Sequence, residues 1–388
     1  MHHRISRRMA CALALCTASF FPFSTSAQIV VSANDNKAVL VDGVNTVPAN
    51  PAPDTVSIID LNVSPPKLLA EINVPASVVG PPSSVAIAPD ESFAIVTAAT
   101  KVDPADPKKT APDNKVSIID LKASPPALVA TIEAGAGAAG VAINRAGNLV
   151  LVANRSEGSV SAFTVSGKTL TPVGKVQLGD AKSGPSAVSF SPDGKTALVT
   201  RDGDHKVSVL TIDGSKVEHS KRDLHAGLRP YPLDISSKGD IAATANIGMG
   251  GGDADTISLI DLSAKPARVV HTVTVGETPE GLTLSPDGSI AAVVLQNSTN
   301  KPKASPFYQP FGLVKLFRIE GKKFSPVTEA KIGSWCQGAA WSKDGKTLLI
   351  QCMVEKEIQV FSFDGKELKM TGAIKVNGGP SGIRTAER

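Results

Sequence analysis

One short phrase recurs seven times in this chain of 388 residues, and it constrains the fold more than any other feature. It reads DTVSIIDL at 54–61, NKVSIIDL at 114–121, GSVSAFTV at 158–165, HKVSVLTI at 205–212, DTISLIDL at 255–262, GLVKLFRI at 312–319 and KEIQVFSF at 356–363. Each copy is a run of β-branched and other apolar residues entered through a turn, the pattern of a buried or half-buried strand and too short for a helix. The third residues of the copies, from Val56 through Val116, Val160, Val207, Ile257 and Val314 to Ile358, are 60, 44, 47, 50, 57 and 44 residues apart. Such spacing is the mark of a repeat architecture whose insertions fall in loops. Length alone would allow two or three domains, but a repeat filling nearly the whole chain predicts one closed array.

Three further units accompany each phrase. SPDGK at 191–195, SPDGS at 285–289 and SKDGK at 342–346 are clear copies of a turn, with APDES at 88–92, NRAGN at 144–148, SSKGD at 236–240 and ANDNK at 33–37 as weaker ones. Asp-Gly between two short apolar runs is a strong hairpin signal. A Gly-Pro-type turn such as GPSAV at 184–188 or GPPSSV at 80–85 opens each hairpin, and a fourth run such as ALVATIEA at 127–134 closes the unit. Each unit therefore predicts four strands and no helix. Seven of them in series predict an all-β, seven-bladed β-propeller of four-stranded antiparallel blades, in which radial closure leaves only short edges. The expected blades span about 28–76, 77–134, 135–178, 179–226, 227–275, 276–332 and 333–377. The tail GGPSGIRTAER at 378–388 reads as the opening of another blade, expected to close the ring on the first, either replacing or accompanying QIVVSA at 28–33.

The stretch GPSAVSFSPDGKTALVTRDGDHKVSVLTID at 184–213 resembles the YVTN-type repeat propellers, and behind them the related lactonase-like seven-bladed propellers. LVAN at 151–154 and LVTR at 198–201 are the nearest forms of the name-giving tetrapeptide. The resemblance covers essentially all of residues 28–388 and implies the fold; propellers host unrelated activities, so it leaves function open. Lactonase-like propellers often carry a Pro-His-x-His element at a blade opening, where this chain reads GPSAV, LRPYPLDI and TPEGLTL.

Residues 1–27 differ from the rest in composition. Arg4, Arg7 and Arg8 precede an apolar stretch from Ala10 to about Phe23, and small residues lead to Ala27. This predicts a secretory signal cleaved before Gln28, and hence a single propeller domain over 28–388 that is periplasmic or secreted. Without those three arginines, 37 basic residues face 36 acidic ones, so the net charge falls from +4 to +1 and no nucleic-acid footprint remains. No membrane span is predicted, and the expected state is a monomer. Cys336 and Cys352 flank the turn at 342–346. A three-residue hairpin loop that sets Ser342 against Lys346 sets these cysteines opposite each other as well, and predicts a disulfide in an oxidising compartment.

In a propeller the turn opening each blade and the loop after its second strand share one face. Those loops are long in blades 1 (44–54), 2 (99–114), 5 (247–256) and 6 (296–312), which predicts two walls flanking the tunnel mouth. The polar residues expected nearest that mouth are Asn154, Arg155, Arg201, Asp202, His205, His225, Arg229, Tyr231, Asn246, Glu280, Gln296 and Gln337. Arg155, Arg201 and Arg229 come from three consecutive blades and are expected to point into one space, which suits an anionic or carbonyl ligand. Asp202, Asp204 and Glu280 offer the alternative of neutralising them internally. The scattered histidines form no metal pair, and GMGGGDADT at 248–256 is a single copy without a repeated calcium pattern, so no metal is expected. No Gly-x-Ser-x-Gly elbow or haem attachment motif occurs, and no cofactor is expected. The functional expectation is an exported non-catalytic propeller binding a small anionic ligand, a glycan or a protein partner at its decorated face, with the question of enzyme activity left open. A lactonase-like hydrolase or isomerase and a structural or assembly partner in the cell envelope are the alternatives.

Overall fold

The computed structural model describes residues 28–386, so the expected signal segment at 1–27 lies outside the described residues. Seven four-stranded antiparallel sheets are arranged as blades, with one extra two-stranded hairpin. The inner strands are Gly379–Thr385, Val85–Ile87, Ala138–Ile143, Pro185–Phe190, Pro230–Ile235, Pro279–Leu284 and Cys336–Trp341. Each inner strand meets the inner strand of the next blade around the tunnel. The C-terminal strand accompanies the N-terminal one: Gly379–Thr385 pairs with Ile29–Asp35, which pairs in turn with Thr55–Asp60. One sheet therefore contains both ends of the described chain, and the ring has no open edge there.

This closure corrects one sequence reading. ANDNK at 33–37 is not the turn between the first and second strands of blade 1. Ile29–Asp35 is already that blade's second strand, because its first strand arrives from the C terminus, and residues 36–37 begin the following loop.

The continuous apolar run of the repeated phrase has a packing reason. Val56 and Ile58 pack toward blade 2, whereas Ile59 packs toward blade 7. In the next copy Val116 and Ile118 face blade 3 while Ile119 faces blade 1. Every blade is thus buried on both faces, and the core is divided into seven inter-blade clusters rather than one centre. The aspartates closing several phrases act locally: Asp60, Asp120 and Asp261 each accept a backbone N–H from two residues further on and start the turn to the outer strand.

The Ser-x-Asp-Gly turns are built the same way three times. Ser191, Ser285 and Ser342 donate to Asp193, Asp287 and Asp344, whose carboxylates accept the N–H groups of Lys195, Ser289 and Lys346. Gly194, Gly288 and Gly345 take φ of 67°, 74° and 68°, which is why glycine stands there. These turns are one residue longer than the three-residue loop expected, since Trp341 pairs with Leu348 and Ser342 bonds Thr347. A bulge between Cys336 and Ala339 restores the offset, so Cys336 still faces Cys352 and the disulfide is present. The same bulge recurs at the start of the inner strands of blades 3, 4, 5 and 6.

Candidate ligand site at the tunnel mouth

Pro185 pairs with Arg201, Pro230 with Asn246 and Pro279 with Leu295, so the starts of the inner strands and the loops after the second strands open on one face. The loops there do not form two separate walls. The blade 1 loop folds into the hairpin Val39–Val41 and Val44–Thr46 and crosses above blade 7 to reach the blade 6 loop. Lys303 N–H donates to Asp42 Oδ1 at 2.9 Å, and Gly43, at φ 77°, lies so close to Pro302 that a Cβ there would sit 2.2 Å from its nitrogen. The root of that loop is tied by Lys37, whose ammonium pairs with Asp54 at 2.8 Å and with Asp35 at 3.3 Å. The blade 2 loop instead extends its own hairpin, Phe93–Val102 against Thr110–Asp120.

Beneath this roof is a cavity of about 330 Å³. Six of the expected residues line it together: Arg155, Arg229, Tyr231, Glu280, Gln296 and Gln337. Asp202, 2% exposed, stands directly behind and joins the two arginines. Arg155 grips it through both terminal nitrogens, Nη2 at 2.9 Å from Oδ2, and Arg229 Nη2 reaches the same Oδ2 at 3.1 Å. Burial alone would raise the Asp202 carboxyl, but the bonds from Arg155, Ser186 and Arg229 hold it below the usual carboxylate range. The Arg155 guanidinium also lies over the Tyr231 ring, 5.6 Å from its centroid.

Glu280 is the group whose charge is undecided near neutrality. It is 8% exposed on the inner strand of blade 6 and accepts from Gln296 Nε2 at 3.2 Å. Burial pushes its carboxyl up, against the pull of Arg229 and Arg155, to about 7. The Oε1 atoms of Gln296 and Gln337 are buried in the same walls without a hydrogen-bond partner.

The other expected residues lie elsewhere. Asn154 is a clasp inside blade 3: its Nδ2 donates to Ser159 and Ser161, both at 2.9 Å, and its Oδ1 accepts from Gly135 N–H. Asn246 does the same with Thr256 and Ser258 in blade 5, and Asn34 with Thr55 and Ser57 in blade 1. Arg201 occupies the equivalent position in blade 4 and does not join Arg155 and Arg229. Its guanidinium runs along the blade to Ser208, Asp204 and Asp223. His205 and His225 are exposed and outside the cavity, although His205 Nδ1 accepts the Arg229 backbone N–H at 3.3 Å. Asn45, Met249, Asn300 and Trp335 line the cavity without having been singled out. Asn45, Met249 and Asn300 sit in the long loops, so loop length marked their region but not the residues.

With this geometry in hand, the relatives are informative. The family described as "Lactonase, 7-bladed beta-propeller" matches residues 113–229, the stretch that carries Arg155 and Arg229. In fold, the chain is a seven-bladed β-propeller, and it is similar to the lactonase-type propellers over that stretch. A candidate 6-phosphogluconolactonase from Bacteroides uniformis is similar at 18% identity and a TM-score of 0.71, with 93% of this chain and 100% of that one covered. The periplasmic gluconolactonase PpgL of Pseudomonas aeruginosa is similar at 16% identity and a TM-score of 0.68, covering 93% and 99%. Hydrazine synthase from Kuenenia stuttgartiensis is similar at 19% identity and 0.62, covering 81% and 91%, which illustrates how widely this propeller is used. No curated protein matches the sequence.

Proposed function

We propose that the mouth cavity binds and hydrolyses the lactone of a small acidic sugar derivative, outside the cytoplasm. The observation that carries this reading is the convergence of Glu280 with Arg155 and Arg229 in one roofed cavity of about 330 Å³. Two guanidinium groups, one ionised Asp202 and a Glu280 poised near neutrality leave the site with a charge between +1 and zero, which favours an anionic substituent. A carboxyl titrating near 7 is matched to general base work at physiological pH. Glu280 takes a proton from water, the water oxygen bonds to the lactone carbonyl carbon, and the guanidinium groups face the oxyanion that forms. Glu280 then returns the proton to the departing ring oxygen, giving the hydroxy acid. The unmet acceptors of Gln296 and Gln337 suit a hydroxyl-rich ligand. The neighbours named as a gluconolactonase and a candidate 6-phosphogluconolactonase supply the substrate class to try. The Cys336–Cys352 disulfide fits an oxidising compartment.

A second reading, a non-catalytic receptor for the same anionic ligands, is favoured by the exposed positions of His205 and His225, which leave no imidazole in the cavity. One experiment separates the two. Hydrolysis of glucono-lactone and 6-phosphogluconolactone is followed by proton release, and binding of gluconate and 6-phosphogluconate by calorimetry. The hydrolase reading expects enzyme-dependent turnover that falls at least 100-fold in Glu280→Gln while product still binds. Binding without turnover above the spontaneous rate favours the receptor, and neither binding nor turnover removes both.

A further inference from the structure

The tunnel has a second end, and it contains a second cavity of about 360 Å³ that shares no residue with the first. It is formed where the inner strands finish and the Ser-x-Asp-Gly turns begin, so it lies on the opposite face from the long loops. Its walls are apolar where Phe190, Ile235 and Leu284 approach, and its charged residues are Arg145, Lys343 and Arg384 with Asp234 and Glu91, the last buried and accepting the Ile29 N–H.

Arg384 stands apart from the other inner-facing arginines. It comes from the closing strand Gly379–Thr385, and its side chain is only 15% exposed. Among the described residues the carboxylate within 4 Å of it is that of Asp234, at 3.8 Å, beyond hydrogen-bond reach. Asp234 is already engaged, with Oδ2 accepting from Leu284 N–H at 2.9 Å and from Thr283 Oγ1 at 3.3 Å. Arg145 is partly engaged as well, donating to Ser237 O at 2.7 Å. A guanidinium has five donors in a fixed fork, and those of Arg384 face the cavity, where a ligand can reach them. Arg155, by contrast, has a carboxylate on both terminal nitrogens.

We propose that this lower cavity is a separate ligand site for a small organic acid whose carboxylate pairs with the Arg384 guanidinium and whose apolar body lies against Phe190, Ile235 and Leu284. A carboxylate matches the guanidinium fork bidentately, and the cavity volume is that of a small-ligand pocket. The ligand class differs from that of the mouth, where the walls are polar and the arginines are already shared with Asp202. A site at each end would make this propeller a two-ligand protein, and the inference does not depend on lactone hydrolysis.

Calorimetric titration of residues 28–388 with phenylacetate tests it, with sulfate and benzyl alcohol as probes of charge alone and body alone. Phenylacetate is expected to bind with one-to-one stoichiometry, at least 10-fold more tightly than either control. Arg384→Gln should weaken it at least 10-fold, while Arg155→Gln at the mouth leaves it unchanged. Ile235→Trp, which fills the cavity and retains Arg384, should also abolish binding; it supplies the answer if Arg384→Gln does not fold. Absence of phenylacetate binding, binding lost in Arg155→Gln but kept in Arg384→Gln, or binding kept in Ile235→Trp would each overturn the proposal. Sulfate binding as tightly as phenylacetate would overturn the ligand class.

Discussion

The two ends of the tunnel are made from the same seven inner strands, yet they are finished differently. At the mouth, long insertions from blades 1, 5 and 6 roof a cavity in which Arg155 and Arg229 share Asp202. At the far end, repeated Ser-x-Asp-Gly turns surround Arg384, whose nearest carboxylate among the described residues is 3.8 Å away and committed to backbone. The difference teaches that a symmetric scaffold acquires chemistry where its repeat is broken. Insertions break it at one end, and the joint between the two chain ends breaks it at the other. Charge is then prearranged at the mouth and left open below.

That contrast fails most visibly if Asp202 is dispensable. Asp202→Ala leaves two partly buried guanidinium groups without their shared partner, and the expected loss is about 3–5 kcal/mol of unfolding free energy, read by chemical denaturation. A loss under about 1 kcal/mol would mean that the arginines repack freely and that the mouth is not prearranged.

The next effect comes from Glu280 and depends on pH. Its folded-state value, about 7, is above the ordinary glutamate value of 4.5, so between these limits the folded protein holds a proton that the unfolded chain has released. Stability from this group is therefore complete below about pH 4.5 and falls as pH rises toward 7, by roughly 3 kcal/mol in all. Glu280→Gln should accordingly match the parent near pH 4.5 and be more stable by up to that amount at pH 8. Equal stability at pH 8 would show that Glu280 is already solvated and is no base in waiting. Binding of an anionic product should weaken over the same rise in pH, because Glu280 then adds a negative charge.

How far the sequence carries can be judged from individual residues. The blade count, the strand order and the disulfide follow from patterns with a period, because burial on both faces imposes the same apolar phrase in each blade. The closure was readable only in part: the tail looked like a blade opening, but the sequence could not say that Ile29–Asp35 remained beside it. Cys336 and Cys352 were paired correctly through a register one residue short, the missing residue being absorbed by a bulge that no composition reveals. Arg155 and Arg201 looked equivalent because each follows or ends a second strand. Only the side-chain partners separate them, since Arg201 lies at the clasp position of Asn154 while Arg155 is one residue beyond it. Arg384 carries no signal in the sequence, because GGPSGIRTAER shows a blade opening but not which of its side chains turns toward the tunnel.

The clasp itself gives the third test. Asn154→Ala removes two bonds to Ser159 and Ser161 and one from Gly135, all within a buried blade edge, and should cost about 2 kcal/mol. Ligand affinity at the mouth should not change. A loss of affinity as large as the loss of stability would merge clasp and mouth into one unit and weaken the distinction drawn between Asn154 and Arg155.

The smallest expected effect is at the far end, and it is the one that sharpens the comparison most. Asp234→Asn keeps an oxygen able to accept from Leu284 N–H across to blade 6 and gives up the bond that Oδ1 accepts from the adjacent Ile235 N–H. What it removes is a negative charge 3.8 Å from Arg384, a contact without a hydrogen bond, and the change in stability should stay under about 1 kcal/mol. If Arg384 awaits an outside carboxylate, removing the competing charge should also tighten phenylacetate binding several-fold, an effect opposite in sign to that of Asp202→Ala on folding. A loss near 3 kcal/mol would instead reveal a closed ion pair in solution, and the two ends of the tunnel would then differ in their loops but not in how their arginines are held.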